Sequence, residues 1–180
     1  MTTMIDTRRA SVDDVDVLIA DVAAGFASYV DFAPPGWRPP DIGAEHERQA
    51  ELIADDATWA LLALVDGASA GHVAFFPGRR RSAGAPAGEW PGREVIPGLA
   101  HLWQLFVLPE WWGRGVAPVL HDAAITEMRS RGYRQARLFT PSLHTRARRF
   151  YERRGWTAAD EEWVEFLDLD LVEYRLELGV

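Results

Sequence analysis

The chain has 180 residues, of which 48% are apolar and 26% charged, as expected for one globular domain with its own core. Acidic residues outnumber basic ones by 27 to 19, giving a formal net charge of −8, so we expect no nucleic-acid or membrane partner. The absence of cysteine excludes disulfides, thiolate metal sites and thiol nucleophiles. No apolar run has the length of a membrane span or a signal-peptide core, so the expected location is cytoplasmic.

The first half of the chain predicts a strand, two helices and a hairpin. Ser11 and Asp14 indicate a helix start of the capping-box type, and Asp66-Gly67 is typical of a hairpin turn between two apolar runs. A proline-rich loop around Trp37 separates the two helices. In chain order the predicted elements are residues 5–9, 12–29, 42–54, 58–65 and 70–76.

The second half alternates strands and helices, which predicts at least one parallel crossover. A stretch rich in Gly, Pro and Arg over residues 78–98 separates the halves and predicts a long loop. The predicted strands are residues 101–108, 135–140, 163–167 and 171–178. The predicted helices are residues 116–131 and 143–154.

Two glycines, Gly113 and Gly115, lie where a strand passes into the next helix. Pro118 follows in the first helical turn, where a missing N–H costs nothing. Exposed N–H groups and the positive end of the helix dipole at such a junction can hold an anion, and Arg114 can add charge. The spacing fits neither the dinucleotide-binding fingerprint nor the P-loop, so the turn alone indicates only an anion site.

The residues around this turn resemble a known family. In the GCN5-related N-acetyltransferase family the pyrophosphate loop reads Gln/Arg-x-x-Gly-x-Gly/Ala, which Gly115 and Ala117 match, while Trp112 stands where the family has Gln or Arg. A second segment is similar to the family's later helix, Asn-x-x-Ala-x-x-x-Tyr followed by Gly-Phe. With His144 in the Asn position, its residues in register are Ala147, Tyr151, Gly155 and Trp156. The resemblance is weakest over residues 32–47 and 78–98.

The resemblance implies an α/β (α+β) fold: a mixed, mostly antiparallel sheet flanked by helices, with central parallel strands splayed around CoA. It implies a single domain over residues 1–180 that takes acetyl-CoA as co-substrate and needs no metal. Pantetheine would pair with the main chain of the central strand, and the pyrophosphate would rest on the glycine turn. The expected CoA contacts are Leu105, Phe106, Val107, Trp112, Gly113, Arg114, Gly115, Val116, Ala117, His144 and Ala147.

The implied reaction is direct transfer of an acetyl group to a primary amine of a small molecule or peptide, without a covalent enzyme intermediate. Tyr151 is the expected acid for the departing thiolate; read without the family, it is an ordinary core tyrosine. His101 is the candidate base, because an imidazole titrates near neutrality. A structural role for His101, with attack by the free amine or through a water relay, is left open.

Three aromatic residues, Phe26, Tyr29 and Trp37, are the expected acceptor contacts, because the family's first two helices frame the acceptor. Core packing explains Phe26 equally well. His72 and His121 have weaker claims to a role, the first within a strand and the second on the surface of an acidic helix. The chain has no His-x-x-x-His pair, so we expect no metal site.

Two other classes of function stay open on the sequence. The chain could be a non-catalytic CoA-binding regulatory domain, or a different α/β nucleotide-binding module that uses a glycine turn. A homodimer is one assembly that the resemblance allows. Substitution of the expected acid distinguishes a catalyst from a regulatory domain, and binding of acetyl-CoA against ATP and NAD distinguishes the nucleotide-binding module.

Overall fold

A computed structural model of the chain describes residues 4–80, 94–164 and 166–179, with only the main chain of residues 162–164. The chain divides into two compact units whose segments alternate along the sequence. The first unit comprises residues 1–28, 41–76 and 102–127, and the second comprises residues 29–40, 77–101 and 128–180. The single domain expected from the sequence stays a prediction.

Seven strands and four helices form in the described ranges. The strands are β1 (Asp6–Arg9), β2 (Trp59–Val65), β3 (Ala68–Arg79), β4 (Val95–Val107), β5 (Gln135–Pro141), β6 (Thr157–Val164) and β7 (Leu169–Glu177). The helices are α1 (Val15–Ala27), α2 (His46–Ala54), α3 (Val116–Ser130) and α4 (Thr145–Glu152). None of the helices in the described part of the chain is long and apolar enough to cross a bilayer.

The strands form one sheet in the order β1-β2-β3-β4-β5-β7-β6. Strands β4 and β5 run parallel, with a ladder from Leu99↔Gln135 to His101↔Arg137. The pairs β1–β2, β2–β3, β5–β7 and β6–β7 are antiparallel. The expected mixed, mostly antiparallel sheet flanked by helices is therefore confirmed, whereas the splaying of the central strands around CoA stays a prediction.

In the first unit, the start of the first helix is fixed by a charged cap. The carboxylate of Asp14 accepts a hydrogen bond from the main-chain N–H of Ser11 at 2.9 Å and pairs with Arg8 at 2.6 Å. The hydrogen bond from Arg8 lowers the pKa of Asp14 to about 2, so this carboxylate stays charged at neutral pH. Helix α1 then buries Leu18 and Val22 in the core of the unit, as the helical period of its apolar residues predicts.

In the second unit, the β6–β7 hairpin differs from its prediction. Strand β6 begins at Thr157, six residues before the predicted start, and a turn over residues 166–168 joins it to β7. Asp168 takes a left-handed φ of 50° in that turn. The polar run over residues 157–162 concealed the strand, because an edge strand covered on one side only does not need an apolar sequence.

The predicted loop over residues 78–98 is shorter in the structure. Strand β3 extends to Arg79 and β4 begins at Val95, and the N–H of Arg80 donates to the carbonyl of Glu94 at 2.8 Å. Residues 81–93 of the predicted loop lie outside the described residues. Glycine and proline in this stretch concealed strand ends that pair through the main chain.

Candidate functional site

The glycine turn of the first unit follows β4 through a short 3₁₀ turn, and α3 begins directly after it at Val116. Gly113 and Gly115 have φ angles of 74° and 89°. Residues other than glycine adopt such positive φ angles only at a cost in free energy. A Cβ built at Gly113 would meet nothing within 4 Å. The backbone conformation therefore requires glycine there, and the space in front of it is open to a ligand. A phosphate group fits these features.

Trp112, which replaces the family's Gln or Arg, has a role within the protein. Its indole Nε1 donates to the carbonyl oxygen of Val107 at 2.8 Å. Next to it, the guanidinium of Arg114 lies 5.3 Å from the ring centre of Trp111. The indole N–H of Trp112 thus joins the turn to the end of β4, so its expected contact with CoA would have to come from the ring face.

The last residues of β4, Leu105, Phe106 and Val107, are half-buried. The ring of Phe106 packs edge-on against Phe26 at 5.4 Å. Phe26 is itself a core residue with 7% of its surface exposed. The structure thus places one predicted acceptor residue against a predicted CoA residue, and the position of Phe26 suits core packing better than direct contact with an acceptor.

In the second unit, four rings form an aromatic cluster: Tyr29, Phe32, Trp37 and His144. His144 stacks on Phe32 at 4.6 Å with an angle of 23° between the rings, and it meets Tyr29 edge-on at 5.4 Å. Trp37 lies 6.1 Å from Tyr29, and its indole Nε1 donates to the carbonyl of Leu167 at 2.7 Å. The structure therefore brings together the predicted acceptor residues Tyr29 and Trp37 and the predicted CoA residue His144.

Burial controls the protonation of this cluster. Burial and, to a smaller degree, the nearby charge of Arg146 together lower the pKa of His144 to about 4. The imidazole of His144 is consequently neutral at physiological pH. Burial also raises the pKa of Tyr29 above its usual range, so this phenol stays protonated.

Tyr151, the predicted acid, is buried on α4 with 8% of its surface exposed. Its ring packs against Trp156 at 5.8 Å and Tyr174 at 6.2 Å. Burial raises the pKa of Tyr151 above its usual range, and the charge that Tyr29 would carry raises it further. Tyr151 is therefore a protonated hydroxyl that can donate but does not ionise at physiological pH.

His101, the predicted base, lies in the part of β4 that belongs to the second unit, with 4% of its surface exposed. Nε of Arg137 donates to Nδ1 of His101 at 3.5 Å, and the ring lies 5.7 Å from Phe139. Nδ1 of this buried imidazole therefore already accepts a hydrogen bond within the protein.

A cleft of about 290 Å³ lies in the second unit beside His144. Its walls combine proline and leucine side chains with carboxylates and come from the loop after Tyr29, the β5–α4 turn and the start of β7. The lining residues are Pro34, Pro141, Ser142, Leu143, Asp168, Leu169 and Asp170. Sequence reasoning missed this cleft, because its walls come from three segments that are distant from one another in the sequence.

The remaining predicted residues have simpler surroundings. Ala147 is half-buried on α4. His121 was expected on a helix surface but is buried, with Nδ1 placed 2.8 Å from Oδ1 of Asp122. Among the residues that the structure describes, no group of three or more His, Asp or Glu side chains is arranged to hold a metal ion.

The structure is similar to several solved acetyltransferases. An N-acetyltransferase from Staphylococcus aureus matches with a TM-score of 0.71 at 18% identity, over 98% of this chain and 100% of the other. A GCN5-related N-acetyltransferase from Rhodopseudomonas palustris matches with a TM-score of 0.73 at 16% identity, over 98% of both chains. The PaiA N-acetyltransferase from Thermoplasma acidophilum, in complex with coenzyme A, matches with a TM-score of 0.66 at 18% identity, over 96% and 99%.

These identities are low enough that the structural matches establish the fold alone. A comparison with curated proteins finds no match. The sequence does match the model of the acetyltransferase (GNAT) family over residues 23–156, which is more than half of the chain. The chain therefore belongs to the acetyltransferase (GNAT) family and is an acyltransferase.

Proposed function

We propose that this acyltransferase moves an acetyl group from acetyl-CoA directly to a primary amine of a small molecule or peptide. The observation that carries the proposal is the state of Tyr151: a buried phenol, held protonated, in the same compact unit as Tyr29, Trp37 and His144. A departing thiolate needs a proton donor, and the phenol of Tyr151 is in its acid form near neutrality.

The first unit supplies the expected donor site. The open turn at Gly113 and Gly115 offers main-chain N–H groups at the start of α3, which suits a pyrophosphate. The end of β4 offers main-chain groups for the pantetheine arm. Acetyl-CoA supplies a thioester that an amine can attack. The PaiA N-acetyltransferase, which has a similar fold, has been solved in complex with coenzyme A.

The second unit supplies the acid and the expected acceptor contacts. Tyr151 donates its hydroxyl proton to sulfur as the C–S bond breaks and the C–N bond forms, and the proton lost by the amine later restores the phenol through solvent. The half-buried ring of Trp37 can contact the acceptor, and the buried ring of Tyr29 packs next to it at 6.1 Å. Asp168 and Asp170 at the neighbouring cleft suit an acceptor that arrives as an ammonium ion.

The proton of the attacking ammonium has two candidate routes. One route is His101, a buried imidazole whose Nδ1 already accepts a hydrogen bond from Arg137. A water relay or attack by the small fraction of free amine needs no side chain at all. A His101→Gln variant separates the routes: loss of the acidic limb of the kcat/KM profile assigns the base to His101, and an unchanged profile assigns it to water.

The test of the proposal is turnover of acetyl-CoA with a panel of amines that includes aminoglycosides, polyamines, amino acids and peptide N-termini. We expect at least one class to release free thiol, and mass spectrometry to find the acceptor heavier by one acetyl group. Release of thiol without an acetylated acceptor would count against transfer to an amine.

A further inference from the structure

Four polar side chains form a continuous chain through the core of the first unit: Asp21, His72, Gln104 and Gln49. Oδ2 of Asp21 lies 3.0 Å from Nδ1 of His72, and Nε2 of His72 lies 2.9 Å from Oε1 of Gln104. Nε2 of Gln104 donates to Oε1 of Gln49 at 3.2 Å. All four are buried, with 0 to 5% of their surface exposed. The chain joins α1, β3, β4 and α2.

The chain reaches β4 directly before the residues expected to meet CoA. Gln104 and Phe106 lie on the same side of the strand, since alternate residues of a strand share a face. The ring of Phe106 accordingly lies 6.0 Å from the imidazole of His72. A Cβ at Gly25 would come within 2.1 Å of that same ring, so α1 closes directly over Phe106.

The main chain of β3 also approaches the end of β4 very closely. Gly71, the neighbour of His72, has a φ of 148°, and a Cβ there would lie 2.3 Å from the carbonyl oxygen of Phe106. One residue earlier, the carbonyl of Ala70 accepts a hydrogen bond from the N–H of Leu108 at 3.0 Å. Residues 104–108 are thus held by the hydrogen bond between His72 and Gln104 and by the one from Leu108 to Ala70, and Gly71 packs closely against the main chain of Phe106.

We propose that the buried chain Asp21–His72–Gln104–Gln49 positions the end of β4 so that the main chain of residues 105–107 can pair with acyl-CoA. This inference rests on the proposed function, because it names the ligand that the strand end receives. Its four members are positioning residues: they are buried, and they act on the ligand only through the strand.

A role beyond stability follows from the cost of such an arrangement. Burying an aspartate, a histidine and two amides is unfavourable unless every group is paired, and apolar residues of similar volume often stabilise a core at least as well. Hydrogen bonds are directional, so those of the buried chain form only when α1, α2, β3 and β4 are in one relative placement. Apolar contacts within the unit would tolerate a shift of the strand.

The test compares two substitutions in the buried chain Asp21–His72–Gln104–Gln49 with an apolar substitution elsewhere in the same unit, chosen to lower stability by a similar amount. Gln104→Met keeps the side-chain length but removes both hydrogen bonds, and Asp21→Asn keeps the volume but changes the partner of His72. The control is Leu62→Ala, at a buried residue of β2 in the same unit. It lowers the melting temperature but leaves all four members of the buried chain in place. Two quantities are measured on folded protein: the Kd for acetyl-CoA by calorimetry and the exchange rate of the Leu108 amide by NMR.

We expect Gln104→Met and Asp21→Asn to raise the Kd and KM for acetyl-CoA five- to tenfold, with kcat at saturation changed less than twofold. The Leu108 amide should exchange at least tenfold faster than in Leu62→Ala. If one variant does not fold, the other carries the same expectation. Variants that melt earlier but keep the wild-type Kd and Leu108 exchange would overturn the positioning role alone. A wild-type protein that does not bind acetyl-CoA would overturn both this inference and the proposed function.

Discussion

The indole N–H of Trp112 donates to the carbonyl oxygen of Val107 over 2.8 Å. This hydrogen bond joins the glycine turn to the last residue of β4, the two places where the donor is expected. In the family motif a Gln or Arg stands at this position. Here the side chain fixes the turn from within, so the proposed pyrophosphate site depends on the main-chain N–H groups at Gly113 and Gly115.

Loss of that hydrogen bond should weaken donor binding. Trp112→Phe keeps a ring in place but removes the donor, which costs about 0.5–1.5 kcal/mol for a hydrogen bond of this kind. We expect the KM for acetyl-CoA to rise roughly three- to tenfold, with little change in kcat. Steady-state kinetics at saturating acceptor measure this. The matched control is Trp111→Phe, which retains an aromatic ring beneath Arg114 and should leave the KM unchanged; equal effects in both variants would refute the role of the indole N–H.

Removal of the phenol of Tyr151 should slow the chemical step and spare binding. For Tyr151→Phe we expect kcat to fall on the order of 10²-fold, the usual contribution of a general acid, while calorimetry finds the same Kd for acetyl-CoA. Because the pKa of Tyr151 is raised, the wild-type kcat should not decline through ionisation of this group between pH 8 and 10. Tyr133→Phe, in the turn after α3, serves as the control. If Tyr151→Phe had the same kcat as the wild type, Tyr151 would have no catalytic role and would serve only in core packing.

The pKa of His144 predicts a pH dependence of stability. It is lowered from 6.5 to about 4 in the folded protein, so between these values the unfolded chain binds a proton that the folded chain does not. The stability linked to His144 is complete above pH 6.5 and is lost as the pH falls toward 4, by at most about 1.4 kcal/mol per pH unit.

The prediction for His144→Phe follows from this loss of stability at low pH. The variant keeps a ring against Phe32 but cannot titrate, so its melting temperature should fall less than that of the wild type between pH 7 and pH 5. Differential scanning calorimetry at the two pH values measures the difference. A His144→Phe variant that loses as much stability as the wild type over this pH range would contradict the lowered pKa of the half-buried imidazole.

Gly71 and Gly36 should respond differently to the same substitution. Both have positive φ angles, so backbone strain alone costs alanine about 1–3 kcal/mol at either position. At Gly36 nothing lies within 4 Å of the new Cβ, whereas at Gly71 the carbonyl oxygen of Phe106 lies 2.3 Å away and belongs to the backbone. Denaturant unfolding should therefore give a larger loss for Gly71→Ala, roughly 3 kcal/mol or more. Equal losses would mean that β3 and β4 do not approach as closely as described.

The sequence predicted those features of the fold that local pattern determines. The helical period placed α1 and α3, and the turn at Asp66-Gly67 placed the β2–β3 hairpin. The polar sequence of β6 and the glycine-rich ends of β3 and β4 concealed strands, because main-chain pairing to a neighbour, and not side-chain pattern, forms them there.

The candidate site divides in the same way. The glycine turn and Tyr151 could be found from motif spacing, since each is defined by nearby residues. The buried chain from Asp21 to Gln49 could not, because it joins four elements that are distant in sequence, and its members look like isolated polar residues. His72 within an apolar strand was the one available signal, since a histidine on a buried face needs partners.

Transfer of an acetyl group from acetyl-CoA to an amine is tested most directly by ligand binding and turnover in one preparation. The wild-type protein should be stabilised against heat by acetyl-CoA but not by ATP or NAD, and it should acetylate at least one amine at a rate that Tyr151→Phe lowers on the order of 10²-fold. Stabilisation by ATP or NAD alone, with no acetylated amine, would contradict the account.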